Sequence, residues 1–363
     1  SACKAATQLV WFVSLSAVAI MILVYFGKDI ILNQVFGHIT AEVKGHADIY
    51  LLIVTASIPF IALYNGGAAI FRAMGNSQVS MRVSLLMNAI NVTGNAILVF
   101  GLRIGTAGVA IPTLISRMVA AIVITVLLCN QTRILHIERT LKIRFDGRMI
   151  RKILAIGVPN GLENSMFQLG KILVLSLVST FGTYAIAANA VSNAIALFQI
   201  LPGMAISLAI TTVISQCVGA NDYEQVHYYL KKLLAIIYVA MVGTVALIFL
   251  ALPLILKAYN LSDQTAAAAT NIIHFHGISA MIIWPLSFAL PAAYRAAGDA
   301  KACMYTSIVS MWIFRIGFSY LVGKYMGLGV FGVWVAMVID WVVRAICFII
   351  RYFNGKWKHG AIV

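Results

Sequence analysis

Six charged residues sit inside stretches of sequence that are otherwise apolar: Arg117, Glu163, Lys171, Arg315, Asp340 and Arg344. A charge in such surroundings is expensive, so each either forms a structural ion pair, snorkels to a polar boundary or serves a ligand. Around Glu163 the pattern is dense. Asn160, Glu163, Asn164, Gln168 and Lys171 recur at spacings of three and four, which places them on one face of a helix. A polar stripe of this kind cannot face lipid cheaply, so it lines a cavity or packs on another polar helix. Gly157, Pro159 and Gly161 come just before it. Proline removes an amide donor and glycine weakens the turn, so the sequence predicts an interrupted helix whose freed carbonyls coordinate a cation or act as a hinge. Glu163, one turn beyond, is the first candidate for H⁺ or Na⁺. The plainer alternative is a Glu163 to Lys171 pair that only holds the helix.

Asp340 and Arg344 are four apart, a spacing that permits an ion pair along a helix, and Arg315 could compete for the same carboxylate. The trio is either a switch or a static buried pair, and Asp340 is the second coupling candidate. Asn88, Asn91 and Asn95 form another stripe, and Asn189 with Asn193 a shorter one; they serve as cavity lining or as polar glue between helices. His274 and His276, two apart, point in different directions and read as satisfied core or cavity histidines. Zinc spacing, a nucleophile elbow and a phosphate-cradling glycine loop are all lacking, which argues against an enzyme, and no metal is assigned beyond Na⁺ near Glu163.

The elements that carry these residues follow from composition. Of 363 residues, 62% are apolar and 10% charged, a balance that suits a bundle bathed in hydrocarbon. At that depth every backbone polar group must be paired internally, which leaves helices or a closed barrel. The apolar runs are about 20 residues long and do not alternate, which selects helices. Ten spans are expected, at 7–26, 50–71, 83–100, 107–128, 153–178, 184–217, 233–256, 269–294, 306–322 and 330–350. The sixth exceeds one straight crossing and must tilt, kink at Pro202-Gly203 or leave the membrane.

Threaded alternately, these spans put 17 of the 26 Lys and Arg on one side. That side is expected to be cytoplasmic, with both visible ends on it. The net charge of +15 is then a matter of topology. It does not imply nucleic acid, which would need a basic soluble face. Five cysteines at or near cytoplasmic span ends are expected to stay reduced.

An internal repeat carries further information. Arg72-Ala73-Met74-Gly75-Asn76 reappears as Arg295-Ala296-Ala297-Gly298-Asp299, an offset of 295 − 72 = 223. Met81 and Met304, then Ser84 and Ser307, keep that offset, and Gly108-Val109 matches Gly332-Val333 after one slip. Spans one to four thus pair with spans seven to ten, as in two parallel six-span halves. The expected domains are 1–128, an amino-terminal lobe lacking its first two spans, a cytoplasmic connector at 129–152, and a carboxyl-terminal six-span lobe at 153–363. On this plan about 75 residues precede Ser1, and the 363-residue chain alone is expected to be inactive.

Together, the segment Arg72 to Asn76, the polar span with Asn88 and Asn91, the Gly-Pro break before Glu163, Gln216 to Ala220 closing the sixth span, and Arg295 to Asp299 resemble the multidrug and toxic compound extrusion (MATE) family. The resemblance covers essentially the whole chain. It implies an all-α, two-lobed bundle of twelve spans in the cell membrane that exports amphipathic or cationic compounds through a central cavity by Na⁺ or H⁺ antiport, with no other cofactor. A monomer in contact with small substrates and the bilayer is expected. Glu163 lies in a span where many members carry an embedded acid, about one turn nearer the proline than in those members. The span 269–294, where some members place a second acid, has none, and the amino-lobe acid of other members would fall before Ser1, so the coupling ion stays open and Asp340 is the substitute candidate. Asn160, Asn164, Gln168, Lys171, Asn88, Asn91, Asn189 and Arg344 are the expected cavity residues. The rival is a lipid-linked oligosaccharide flippase of the same wider superfamily, which would want an arginine-lined hydrophilic cavity and keeps Arg117, Arg315 and Arg344 as its support.

Overall fold

A computed structural model describes residues 2–35, 39–139 and 144–360. Among them the secondary structure is helical throughout, with no strand. The α-helices are α1 (Ala2–Ile30), α2 (Ala41–Ala56), α3 (Ile58–Ala73), α4 (Ser77–Asn95), α5 (Thr106–Leu128), α6 (Gly147–Ser179), α7 (Thr183–Gly219), α8 (Tyr223–Ala258), α9 (Asp263–Ile282), α10 (Leu290–Ala296), α11 (Ala300–Ser310) and α12 (Gly329–Asn354). Five stretches are wound as π-helix: Ile31–Val35, Ala96–Gly101, Pro285–Ala289, Met311–Gly317 and Ser319–Tyr325.

Every expected span falls on a helix. Seven helices are long and apolar enough to cross a membrane, or nine when two bent pairs each count as one span. The bends are 43° between α2 and α3 and 58° between α9 and the segment Pro285–Ala296. α6, on the fifth expected span, is long enough at 33 residues, and its polar stripe is what keeps it out of that set. The expected interruption does not occur. α6 runs as one helix through Gly157, Pro159 and Gly161, because the single donor lost at proline is not enough to open a helix this long. α7 is likewise continuous through Pro202.

The chain divides into two compact units, residues 1–153 and 154–363. Described residues of the stretch 129–152 bond to the rest of the first unit. In the first unit, Ile137 N donates to Leu128 O at 3.0 Å and Glu138 N to Thr7 Oγ1 at 3.1 Å. Lys4 Nζ pairs with Asp146 at 3.0 Å, and this hydrogen bond holds the Asp146 carboxyl below its ordinary range. The core of the first unit gathers Tyr64, Phe71, Ile124 and Leu128. That of the second gathers residues of α7, α8 and α12 around Tyr294, Phe348 and Trp357.

The repeat is visible in the backbone. α3 ends with Gly75 at φ +78 and Asn76 N donating to Phe71 O at 3.0 Å; α10 ends with Gly298 at φ +91 and Asp299 N donating to Tyr294 O at 2.9 Å. The left-handed conformation is why glycine stands at both places. The π segment at Ala96 recurs at Ser319, 319 − 96 = 223 residues later.

Candidate functional site

Within the second unit, the side chains expected to do chemistry separate into three groups. The first joins α6 to the end of α10. Arg295 Nη1 donates to Glu163 Oε2 at 3.2 Å and to Oε1 at 3.4 Å, with the carboxylate 15% and the guanidinium 24% exposed. Glu163 therefore has an arginine partner, and the Glu163 to Lys171 pair is not formed. A charge-assisted contact of this kind is stronger than a neutral hydrogen bond. The sequence alone places Arg295 in a loop after the eighth span. Its place in the repeated Arg-Ala-x-Gly turn was the signal that could have found it.

The second group is buried between α11 and α12. Arg344 Nε donates to Asp340 Oδ1 at 3.0 Å, and Ser310 Oγ donates to the same oxygen at 2.5 Å. Arg344 Nη2 reaches Ser307 O at 3.3 Å, and its Cζ stands 5.1 Å from the Phe288 ring centroid. Asp340 is fully buried and its Oδ2 has no hydrogen-bond partner among the described residues. A buried acceptor left unmet is costly, so Oδ2 is the one carboxylate atom here that a proton or cation would relieve. Arg315 does not join this pair by direct contact.

The third group lines a cavity of about 380 Å³. Lys171, Asn189, Asn193 and Arg315 supply its polar wall, and Val174, Leu175, Leu197, Val333, Trp334 and Met337 its apolar one. Trp334 Nε1 donates to Asn189 Oδ1 at 3.0 Å, which turns the amide NH₂ of Asn189 free as a donor. Lys171 Nζ and Arg315 Cζ stand 4.9 and 5.1 Å from the centroid of one ring, Phe167. The approach that allows this is made at Gly170, where a Cβ would lie 2.2 Å from Met311 Cε. Asn193, paired with Asn189 by spacing, lines the cavity as one of its two expected readings; Phe167 is the residue the sequence does not single out, since neither charge nor spacing marks an aromatic in an apolar span.

The rest of the stripe stays apart. Asn160, Asn164 and Gln168 are exposed, and Asn164 Nδ2 only donates to Asn160 O at 2.9 Å. Nearby, His276 is buried between Trp334 and Trp341, with Nδ1 donating to Gln199 Oε1 at 2.5 Å.

In the first unit, Asn91 Nδ2 donates to Thr113 Oγ1 at 3.3 Å and Asn95 Nδ2 to Asn91 Oδ1 at 2.8 Å. That stripe ties α4 to α5, while Asn88 is exposed. Arg117 Nη1 donates to Ser57 Oγ at 2.7 Å, at the bend between α2 and α3.

A family model described as MatE matches residues 1–97 and 159–321. Among curated proteins, the chain is 28% identical over 359 residues to the uncharacterized transporter YisQ of Bacillus subtilis (strain 168), covering 96% of this chain and 76% of that protein. It is 22% identical over 342 residues to the probable multidrug resistance protein NorM of Thermotoga maritima, covering 93% and 72%. Two solved structures share the fold. One is the outward-facing conformation of a multidrug resistance MATE family transporter of the MOP superfamily, with 21% identity, TM-score 0.88, and 99% and 79% of the two chains covered. The other is a MOP superfamily transporter from Pyrococcus furiosus Vc1, described as having a binding pocket of reverse polarity that suggests a different function, with 20% identity, TM-score 0.89, and coverage of 99% and 79%.

Proposed function

Because the chain belongs to the MatE family and is a multi-pass membrane protein, we propose that it exports amphipathic compounds across the cell membrane by Na⁺ or H⁺ antiport with alternating access. The observation that carries the reading is the cavity in the second unit, where amide and cationic groups face an apolar wall in the space of one small solute. Such a lining suits molecules that are part polar and part greasy. The curated relatives named for multidrug resistance support the same reading.

Coupling is assigned to Glu163, with Asp340 second. A Na⁺ ion or a proton at Glu163 must compete with Arg295 for the same carboxylate. Binding of the ion would therefore release α6 from the turn after α10, and the two ligations favour different states of one element. The flippase reading loses ground because Arg117 and Arg344 are already engaged, by Ser57 and by Asp340 with Ser307. Both ends of the chain are placed in the cytoplasm on the charge bias, and the transporter acts as a monomer.

The test is efflux from vesicles made from cells expressing the full-length protein, with imposed Na⁺ or pH gradients, following ethidium and carboxyfluorescein side by side. Gradient-driven efflux of either dye that is lost in Glu163→Gln supports the transport reading and the site. Efflux that survives the substitution moves coupling to Asp340. Efflux of neither dye under any gradient overturns the exporter and favours the flippase.

A further inference from the structure

We propose that the cavity between α6, α7, α12 and the segment Met311–Gly317 is an anion-binding subsite, taking the carboxylate, sulfonate or phosphate end of an amphipathic molecule. The inference deepens the exporter reading and rests on it for the word substrate, but its own argument is one of charge.

Lys171 and Arg315 both face this cavity and both stand about 5 Å from the Phe167 ring. Neither forms an ion pair or a side-chain hydrogen bond among the described residues. Nor is a carboxylate left over to serve them. Of the acids in the second unit, Glu163 is held by Arg295, Asp340 by Arg344 and Asp299 by Arg351 at 2.5 Å. Asp222 caps α8 by accepting from Gln225 N at 3.1 Å, and Glu224 and Asp263 lie in the first turns of α8 and α9. Two cations gathered at one ring repel each other, and the ring face compensates each only weakly. An anion between them would remove the repulsion and satisfy both donors at once.

The neighbours fit that occupant. Asn189 has its carbonyl oxygen taken by Trp334 Nε1, so the group it offers the cavity is a donor. Trp334, Val174 and Leu175 supply contact for an apolar or aromatic body. An organic cation would meet two like charges instead. The same chemistry could come from a soluble organic anion or from an anionic lipid headgroup.

The experiment is calorimetric titration of the purified protein in phosphatidylcholine nanodiscs with 1-naphthalenesulfonate and, separately, with a naphthyl trimethylammonium of the same size. The expected result is binding of the sulfonate at least ten times tighter than the ammonium, weakened tenfold or more in Lys171→Gln and in Arg315→Gln and largely kept in Lys171→Arg. Arg315→Lys and the far-ultraviolet helicity of each variant guard against reading a folding defect as lost binding. Equal affinity for the two probes, or sulfonate binding untouched by both glutamine variants, overturns the subsite. Repeating the titration with phosphatidylglycerol in the disc identifies the source: competition assigns the site to lipid headgroups, and unchanged affinity to soluble anions, both upholding the anion site. Dye export without anion binding would sink this inference and leave the exporter standing. Anion binding without gradient-driven efflux would do the reverse.

Discussion

Arg295 Nη1 lies 3.2 Å from Glu163 Oε2, so the residue that opens the repeated turn after α10 clasps the one carboxylate of α6. Residues 132 apart in sequence share a charge-assisted contact in which one guanidinium nitrogen reaches both carboxylate oxygens.

If that contact is what an antiported cation displaces, Arg295→Gln makes the cation's task easier. The ion concentration giving half-maximal dye efflux is expected to fall about tenfold, the equivalent of ~1.4 kcal/mol for a part-buried charged hydrogen bond. The double variant Glu163→Gln with Arg295→Gln is expected to be no worse than Glu163→Gln alone, the mark of two residues acting through one interaction. Efflux titrations on the four proteins read both.

The Asp340 and Arg344 pair obeys a different rule, because it is buried. Asp340→Leu leaves a guanidinium unpaired at 3% exposure and is expected to cost about 3–5 kcal/mol, whereas Asp340→Leu with Arg344→Met restores most of it. Thermal unfolding in detergent separates the two. A double variant as unstable as the single one would mean that Ser310 and Ser307 matter more than the pair.

Glycines divide by what surrounds them. A Cβ on Gly332 would lie 2.8 Å from Gly323 Cα and N, backbone that cannot swing aside; Gly332→Ala is expected to destabilise by about 1–3 kcal/mol. A Cβ on Gly157 meets nothing within 4 Å. Gly157→Ala is expected to stabilise α6 by about 0.5–1 kcal/mol. If α6 bends during the cycle, the same change lowers the efflux rate while raising the melting temperature, a combination that simple damage does not give.

Trp357 is fully buried against Tyr223, His227, Tyr294 and Tyr352, and Tyr223 Oη donates to Lys358 O at 3.1 Å. Trp357→Ala is expected to cost about 3–5 kcal/mol, seen as a lower melting temperature, with Trp357→Phe recovering part of it.

The architecture was legible because hydrocarbon imposes a length on each span and alternation is absent, and the repeat was legible because glycine at a positive φ must recur wherever the same turn recurs. What escaped were the partners. Arg295 reads as a loop cation until the helix end carries it to Glu163, and Phe167 reads as one more apolar residue until Lys171 and Arg315 both settle by its ring. Side-chain meetings between helices far apart in sequence are set by packing, to which periodicity is blind. The break expected at Pro159 does not form for a related reason. A motif that opens a short helix is absorbed by one of 33 residues, which continues as helix on both sides of Pro159.

The length of α7 has a mechanical meaning. At 37 residues it is about 55 Å long, against about 30 Å of hydrocarbon, and Pro202 sits near its middle beside Gly203, whose absent side chain admits the Trp284 ring. Gly219 lies about 25 Å beyond that proline along the axis, so a change of about 10° in the bend there swings the helix tip by about 4 Å. α7 is in this sense a lever with its fulcrum at an aromatic ring, able to turn a small repacking around Trp284 into a displacement felt at the membrane surface.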